Sequence, residues 1–531
     1  MKKLLLIPVF LIAPLIVIIL VRFTIDKNID YDVSTQEINI PMFDSYFLDF
    51  DQKINNAESL PFTASAIIDI DNDGTEELFI GGGPNQKDAI FAFKDGRLHP
   101  MDSDVVGKPE LQDATFAAAV LDVDNNGYSD LIITRTTGVW LHLNEGGRFT
   151  AQKLDLPIKS DTTPLSVALS DINRDGHFDM YVSGYIKKEL VEGQNIFNKE
   201  GYGGSSLMVL NNGDNTFTDI TDSSGLRYTH NTFMGIFVDI NNDGLEDLVV
   251  AHDTGHVKTW KNKGNNTFTD IPNPNSDEYS YPMGIAVTDL DDDGLVDFFF
   301  SNVGTTPPAF LVKGDLRDDQ EFNPDWIMFK NKGNFQFDDV AEQVKVAAYE
   351  FSWGAIFEDF NLDGLDDLVV SENYIGFPPH NLSFLRLPGR FLLQTPTGEF
   401  AETGEQSGVI NTGYSITPIT ADFNNDGYPD VVHVNVAGKS KAFINKGGDA
   451  KYLKVKLPDT VASIAAKITV RRSDGRVLRR DYVLGEGLNS DQSHIQVFAL
   501  GNAHASEIIV QYINGETSVQ TGNWTNTLVQ F

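Results

Sequence analysis

The sequence predicts an all-β chain in which a seven-bladed β-propeller is preceded by an N-terminal transmembrane helix and followed by a small β-sandwich. Three observations predict this architecture. An apolar run stands at the N-terminus, an acidic nine-residue motif recurs seven times between residues 69 and 430, and the last segment alternates polar and apolar residues around two hairpin turns. The predicted domains are a signal-anchor helix (1–22), a linker (23–37), the propeller (38–449) and the sandwich (450–531).

The length and amino-acid composition exclude several classes of function and site. The 531 residues exceed the ~300 of one compact domain, so a large repeat array or two domains is expected. Asp and Glu number 76 against 40 Lys and Arg, for a net charge of −36, which argues against nucleic acid as a partner because phosphates require a basic face. The absence of Cys excludes disulfides and thiolate metal sites.

The N-terminus is predicted to anchor the chain in a membrane. Lys2 and Lys3 precede the uncharged run Leu4–Val21, and Arg22 ends it. The run is longer than the ~7–15 residues of a signal-peptide core and reaches the ~17–25 of a spanning helix. No small-residue cleavage site follows, which favours an uncleaved anchor over a cleaved signal. The positive-inside rule then makes the rest of the chain extracytoplasmic, in the periplasm or at the cell surface.

The repeated motif has the chemistry of a calcium loop. Positions 1, 3, 5 and 9 always carry Asp, Glu or Asn, and position 6 is always Gly. Calcium prefers such oxygen ligands, at about 2.3–2.6 Å, and the glycine allows a sharp bend around an ion. The motif is not an EF-hand, because position 12 is never Glu and the flanks resemble strands. The predicted metal ligands are Asp69, Asp71, Asp73, Glu77, Asp122, Asp124, Asn126, Asp130, Asp171, Asn173, Asp175, Asp179, Asp239, Asn241, Asp243, Asp247, Asp289, Asp291, Asp293, Asp297, Asp359, Asn361, Asp363, Asp367, Asp422, Asn424, Asp426 and Asp430.

The alternative interpretation of these loops is a set of Asx-turns without an ion. Seven copies argue against it, because three or four carboxylates within nine residues repel one another when no cation is present. The sequence therefore predicts up to seven structural Ca²⁺ ions.

A second recurring element predicts the rest of each blade. It is a strand, a turn on Asn-x-Gly and an aromatic strand, as in residues 209–220, 260–271 and 329–340. Each repeat then holds four strands. The seventh blade has a third strand at 441–444 without an aromatic strand after it, so a segment near 38–46 is predicted to supply its fourth strand and close the ring.

The loops and hairpins together resemble the FG-GAP/VCBS repeats of integrin-α-like seven-bladed propellers, over about residues 60–447. The resemblance implies that the side chains at positions 1, 3, 5 and 9 and the carbonyl of position 7 bind calcium. The C-terminal segment resembles the ASPIC/UnbV module of the cartilage acidic protein-like family, through 465–470, 474–476, 496–501 and 508–515. Its Phe498-Ala-Leu-Gly501 departs by one residue from the usual Phe-Gly-Leu-Gly.

Three long insertions are predicted to lie at the blade ends opposite the calcium loops, because each follows the strand that leaves a loop. They span 184–206, 302–324 and 373–389. Aromatic residues on loops are common anchors for partners, although these loops can instead pack on one another. The aromatic residues are Tyr185, Phe197, Tyr202, Phe310, Tyr374, Phe377 and Phe384.

The segment from 450 onward is slightly basic, whereas the remainder is strongly acidic. Its arginines are interpreted as the solvated face of a hairpin, with contact to an acidic partner, or to the chain's own propeller, as the alternative. They are Arg471, Arg472, Arg476, Arg479 and Arg480.

The sequence indicates a binding module, for no nucleophile elbow, phosphate loop or other catalytic constellation is found. His252 and His256 are interpreted as part of a structural loop. The predicted function is adhesion or interaction with a protein or glycan ligand at the insertion face, with the membrane helix as anchor and no role for nucleic acid. The alternatives are a propeller-based carbohydrate-active lyase or hydrolase, and an assembly factor for envelope proteins.

Overall fold

A computed structural model describes residues 31–54, 59–191, 201–304, 316, 319–374 and 386–531. Within these ranges the chain is almost entirely β-structure, with two single-turn α-helices, Thr221–Ser224 and Gly404–Ser407, and two short 3-10 turns, Lys188–Leu190 and Val461–Ser463. The predicted anchor helix lies outside the described residues. In the part that is described, no helix is both long and apolar enough to cross a membrane.

Seven antiparallel sheets of repeat strands follow one another along the chain, and each is called a blade here. Blades 1 to 3 are β2 (Ser65–Ile68), β3 (Glu77–Ile80), β4 (Ala89–Lys94), β5 (Arg97–Pro100); β6 (Thr115–Leu121), β7 (Asp130–Arg135), β8 (Gly138–Asn144), β9 (Phe149–Lys153); and β10 (Thr162–Ser170), β11 (Asp179–Ile186), β12 (Leu207–Asn211), β13 (Phe217–Asp219). Blades 4 to 6 are β14 (Thr232–Val238), β15 (Asp247–His252), β16 (Lys258–Asn262), β17 (Phe268–Ile271); β18 (Ile285–Thr288), β19 (Asp297–Phe300), β20 (Ile327–Asn331), β21 (Phe337–Asp339); and β22 (Ser352–Glu358), β23 (Asp367–Glu372), β24 (Arg390–Gln394), β25 (Phe400–Glu402). Blade 7 is β26 (Ser415–Ala421), β27 (Asp430–Asn435), β28 (Gly438–Asn445) and the N-terminal β1 (Phe43–Gln52).

The blades form a closed series. The first strand of each blade contacts the first strand of the next, and β26 of blade 7 contacts β2 of blade 1. These inner strands are fully buried in blades 2, 3, 4 and 7. The arrangement is consistent with the β-propeller that the sequence predicts.

The ring closes with a strand from the N-terminal side, as predicted. β1 pairs antiparallel with β28, from Phe43 opposite Asn445 to Gln52 opposite Gly438. The strand begins at Phe43 rather than near residue 38, because the Phe43 ring packs edge-on against Phe391, with 5.4 Å between centroids, in the core of blades 6 and 7.

Residues after 450 form two further sheets that share one apolar cluster, in agreement with the predicted sandwich. The first is β29 (Lys451–Lys456) between β33 (Ile495–Gly501) and β36 (Thr527–Gln530), and the second runs β31 (Val477–Asp481), β30 (Lys467–Arg472), β34 (Ala505–Gln511), β35 (Thr517–Trp524). The same cluster includes side chains of blades 2 and 3, so this C-terminal module packs directly on the ring.

One segment of the C-terminal module enters the centre of the ring, and residues 484–493 are called the plug here. Its short strand β32 (Ser490–Asp491) pairs in parallel with β2 of blade 1. On the other side Gly487 N donates to Ile285 O of blade 5 at 2.8 Å. Since blades 1 and 5 are not neighbours, a segment that bonds to both lies across the axis.

The plug is apolar at its centre. Leu488 has no exposed surface and belongs to an apolar cluster with Phe116, Phe233 and Trp353 from three blades. Asp491 Oδ2 accepts the Val120 amide of β6 at 2.7 Å. The sequence did not predict this insertion.

We expect Leu488→Ala to lower the free energy of unfolding by about 2–5 kcal/mol, because it leaves a cavity where inner strands of several blades meet. Urea unfolding in calcium-containing buffer measures the loss. Val519→Ala is the matched control, since Val519 is 54% exposed in the C-terminal module and its loss is expected to cost less than about 0.5 kcal/mol. Equal losses in the two variants would contradict a structural role for the plug.

Candidate metal centres

The seven acidic loops share one backbone conformation. The Gly at position 6 has φ between 79° and 92° in every copy, a region that only glycine enters without strain. Position 4 is also left-handed, with φ between 54° and 59°, which the sequence analysis did not predict. Asn occupies position 4 in four copies, and that preference was the available signal. The position-4 residues are Asn72, Asn125, Arg174, Asn242, Asp292, Leu362 and Asn425.

The first aspartate organises each loop from inside. In blade 1, Asp69 Oδ1 accepts the Asp73 amide and Oδ2 accepts the Gly74 amide, both at 3.0 Å. The equivalent pair of hydrogen bonds is present in the other six loops. The position-1 carboxylate is thereby held with its oxygens in the turn.

The carboxylate at position 9 joins the loop to the blade. It begins the second strand, and in blade 4 Asp247 accepts the Ile240 amide at 3.1 Å and the Asn262 amide at 2.8 Å. The first of these bonds, from the amide of position 2, recurs in all seven blades. The second, from the end of the third strand, recurs in blades 2 to 7.

Three loops bring three carboxylates together. In each, one oxygen from every member lies within 4.8 Å of the others, which is the geometry of a group that can share a cation. The triads are Asp69, Asp71 and Asp73; Asp122, Asp124 and Asp130; and Asp289, Asp291 and Asp297. Glu77 and Asp293, which were also predicted as ligands, stand outside these triads.

The other four loops carry Asn at position 3, and there the amide nitrogen donates to the carboxylate at position 5. The predicted ligands of these loops are neighbours in the structure, but they form no all-carboxylate triad. The predicted ligand sets thus divide into three loops with an all-carboxylate triad and four loops in which position 3 is Asn.

Crowding and burial raise the pKa values of several loop carboxyls. Burial, with the charges of the other loop aspartates, raises the pKa of Glu77 to about 8, of Asp247 to about 8 and of Asp130 to about 7. The same two causes raise the pKa of the position-9 carboxyls in the remaining blades: Asp179, Asp297, Asp367 and Asp430. When no cation is bound, protonation of the position-9 carboxyl reduces its repulsion with the other loop carboxylates.

The Asn at the end of the third strand, which in blade 5 is the Asn of the predicted Asn-x-Gly turn, connects neighbouring loops. Asn445, at the end of the third strand of blade 7, donates from Nδ2 to Phe360 O in the loop of blade 6 at 2.9 Å. Asn144 reaches Ile70 O of blade 1 in the same way, at 2.8 Å. Equivalent bonds run from Asn331 and Gln394 to the preceding blades. The Asn of the Asn-x-Gly motif is therefore a link between adjacent candidate sites.

Basic residues of the C-terminal module approach the loops directly. Lys456 Nζ lies 3.0 Å from Asp69 Oδ2, and Lys454 Nζ lies 2.8 Å from Asp422 Oδ2. Leu362, at the strained position 4 of blade 6, is buried against Val497 of the same module, which accounts for a leucine there. The C-terminal module thus covers part of the loop face.

The arginines of the C-terminal hairpin divide between two environments. Arg480 forms a bidentate pair with Asp366 at 2.5 and 2.6 Å, and Arg476 lies 3.1 Å from Asp292. For these two, the interpretation as a solvated face was wrong and contact with the chain's own propeller is observed. Arg471 and Arg472 instead pair within the module, with Glu507 and Asp474.

The other residues singled out from the sequence have structural surroundings. His252 Nδ1 lies 3.0 Å from His256 O and its Nε2 lies 2.9 Å from Tyr228 OH, which agrees with a structural loop. Tyr374 is buried, and Tyr185 and Tyr202 are half-buried. Phe197, Phe310, Phe377 and Phe384 lie outside the described residues.

The donor set fits a hard divalent cation. The loops offer carboxylate and amide oxygens, hold them with backbone amides, and gather negative charge that a cation would neutralise. When bound, calcium would supply charge neutralisation and cross-linking of the loop to its blade, through the predicted ligands at positions 1, 3, 5 and 9. Such a role is structural.

Comparisons with known proteins agree with the repeats. The model of the FG-GAP-like repeat matches residues 122–182 and 239–300. Cartilage acidic protein 1 of Xenopus tropicalis is 24% identical over 490 residues, covering 85% of this chain and 70% of that protein. The human protein is 24% identical over 329 residues, covering 57% of this chain and 46% of its own length, so the match spans about half of that relative. The chain thus carries FG-GAP-like repeats and is distantly homologous to cartilage acidic protein 1 over most of its length.

The solved structures that match this chain have low sequence identity to it. BBS1N in complex with ARL6DN is 11% identical with a TM-score of 0.43, covering 76% of this chain and 97% of that one. YCF48 in a peptide complex is 8% identical with a TM-score of 0.40, covering 78% and 99%.

Metal removal should make stability depend on pH in an unusual direction. The position-9 carboxyls have folded-state pKa values above the ~4 of an unfolded chain, so the metal-free fold binds their protons more tightly. This contribution to stability is complete below about pH 4 and is lost as the pH rises through about 7 to 8. We expect the melting temperature in chelator to fall between about pH 5 and pH 8.

Calcium should abolish that fall, because the ion replaces the protons and binds the ionised carboxylates. Thermal melts in chelator and in about 1 mM calcium, at matched ionic strength, measure the difference. A gap between the two melting temperatures that is constant across the pH range would contradict the prediction.

Asn445→Ala should lower the free energy of unfolding by about 1–3 kcal/mol, because it leaves the buried Phe360 carbonyl without its donor. Urea unfolding in calcium measures the change. Asn212→Ala, at an exposed position of the equivalent turn in blade 3, is the control and should cost about 0.5 kcal/mol or less. A loss at Asn445 no larger than that of the control would show that the link carries no stability.

Proposed function

We propose, for a chain that carries FG-GAP-like repeats and is distantly homologous to cartilage acidic protein 1, that it is a membrane-anchored, extracytoplasmic, calcium-binding propeller that binds a protein or glycan ligand. One observation supports the binding face above all others. The C-terminal module covers part of the loop face and the plug enters the axis, whereas the face from which the insertions leave is free of that module. This face, opposite the metal loops, is called the free face here.

In this proposal calcium stabilises the folded propeller and takes no part in a chemical reaction. The loops concentrate carboxylates whose protonation is favoured by burial, and calcium binding to the fold alone shifts the folding equilibrium toward it. A site with a dissociation constant of about 0.1 mM adds about 1.4 kcal/mol in about 1 mM calcium. Up to seven sites are proposed, of which the three acidic triads have the most complete carboxylate sets.

The membrane anchor rests on the sequence of residues 1–22. Two lysines precede an uncharged run of eighteen residues, and this pattern supports an N-terminal helix with the propeller on the extracytoplasmic side. Such a helix would hold the ring near a membrane surface, where a binding module meets its partner.

The enzyme alternative draws on two acid–base clusters of the described residues, and both are enclosed. Glu372 pairs with Arg390 at 2.9 Å, with both side chains buried in blade 6. His494 lies 2.8 Å from Asp459 where the C-terminal module contacts blade 2, and it is 6% exposed. Enclosed pairs of this kind favour stabilising the fold over meeting a substrate, and they support a binding role.

The proposal is tested by binding of the full chain in detergent to an array of oligosaccharides and envelope proteins. Leu111 and Leu190 are 43% and 42% exposed on the free face, whereas Val519 is 54% exposed on the C-terminal module. We expect Leu111→Asp with Leu190→Asp to weaken binding about tenfold or more by placing two charges in a partner interface, and Val519→Asp to leave it unchanged.

Binding that survives the double variant and is lost in Val519→Asp would move the ligand site to the C-terminal module. Turnover of an array sugar by the purified chain would favour the lyase or hydrolase alternative. Chelation should weaken binding in parallel with the loss of folded protein, which circular dichroism on the same samples follows.

A further inference from the structure

A cavity lies on the free face, between blades 2 and 3. It has a volume of about 650 Å³, within the range of sites for small ligands. Its wall includes the turn after β7, the end of β9, the connection from 154 to 163 and the residues that follow β11. All of these stand at the blade ends away from the metal loops, because β7 and β11 begin at a loop and run from it.

The charge of this cavity is opposite to that of the chain. Lysines outnumber acidic residues in its wall by four to two, although the whole chain has 76 acidic and 40 basic residues. The lysines are Lys153, Lys159, Lys187 and Lys188, and the acidic residues are Asp155 and Glu189.

The four lysines lack the carboxylate partner that many other lysines of the chain have. In the described part of the chain, none of the four ammonium groups lies within ion-pair distance of a carboxylate, and Lys159 Nζ instead donates to Ser205 Oγ at 2.9 Å. Lysines elsewhere, such as Lys258 and Lys332, pair with an aspartate at 2.6 and 2.8 Å. Lys153 Nζ lies over the Trp140 ring, 5.9 Å from its centroid. Four lysines without a carboxylate partner thus line one cavity of an acidic protein, and their positive charge favours an anion there.

The remaining wall indicates the kind of anion. Ser160, Thr136 and Thr163 add hydroxyl groups, and Leu60 and Phe116 supply an apolar floor toward the axis. Hydroxyls that donate and accept hydrogen bonds match a hydroxyl-rich ligand, and lysines match carboxylate or sulfate groups on it.

We propose that this cavity binds an acidic oligosaccharide, with its carboxylate or sulfate groups on the four lysines and its hydroxyls on the Ser and Thr side chains. The inference rests on the proposed binding function and names the ligand class and the place on the free face.

Calorimetry on the calcium-loaded full chain in detergent tests the inference, with a tetrasaccharide of alternating glucuronate and N-acetylglucosamine as the probe. The matched ligand control is the same tetrasaccharide with its carboxyls reduced to alcohols. Lys153→Gln with Lys159→Gln is the test variant. Lys94→Gln with Lys263→Gln, which removes the same charge at exposed positions outside the cavity, is the matched control.

We expect the acidic tetrasaccharide to bind more weakly as salt rises, the cavity variant to weaken binding about tenfold, and the control variant to leave it unchanged. The reduced tetrasaccharide should bind at least about tenfold more weakly than the acidic one. Equal weakening in the two variants, equal binding of the two sugars, or tighter binding of a tetraglutamate peptide would each overturn the inference.

A failure here is distinguishable from failure of the proposed function. If the tetrasaccharide does not bind, but an array ligand binds and is lost in the Leu111 and Leu190 double variant, the free face remains the binding face and the cavity assignment falls. If no array ligand binds either, the proposed function falls with it.

Discussion

Carboxylate crowding on one face of the ring is the constraint on which the rest of the structure depends. Each blade turns through a loop that gathers acidic groups, and burial prevents water from screening them. Three features reduce this repulsion. Backbone amides donate to the carboxylate oxygens, and lysines and arginines of the C-terminal module pair with acidic residues of the loops. The negative charge that remains suits calcium. The C-terminal module is therefore part of the electrostatic balance of the ring. Its basic character, set against an acidic propeller, has a physical reason.

The position of the C-terminal module also decides which surface remains for other molecules. A propeller has two faces and an axis, and here one face and the axis are occupied by the same chain. The acidic loops, which would attract cationic partners, are covered in part by the C-terminal module. The free face differs from the loop face in its residues, because lysines line its cavity, whereas aspartates form the loops. A lysine-rich cavity thus lies on the face opposite the acidic loops, although the net charge of the chain is −36.

Much of the blade architecture could be predicted because its signals are local and repeated. Asp, Gly and Asp at positions 1, 6 and 9 of a loop, as in Asp239, Gly244 and Asp247, define a turn within nine residues, and seven copies make the pattern plain. The plug could not be predicted, because the pairing of Ser490 with Ser65 joins distant segments and leaves no periodic trace in either. The contacts of Lys454 and Lys456 could not be predicted for a related reason. The alternation along β29 identifies both residues as polar, but their pairing with loop aspartates depends on how the C-terminal module packs on the ring. Asn331 was recognised in the sequence, but only as a turn residue, so its link to the preceding blade was not predicted.

Closure of the ring by β1 has a consequence for how the chain folds. Gln52 and its hydrogen-bond partner Ala437 are 385 residues apart in sequence, so the first strand must wait for nearly the whole ring before it pairs. Contacts of such long range make folding slow, and the exposed edge of an unpaired strand is prone to aggregate meanwhile. During vectorial synthesis, blades 1 to 6 can form in order, but the seventh remains open at its outer edge until the two ends meet. A chain of this design depends on protection of its early strand while the remainder is being made.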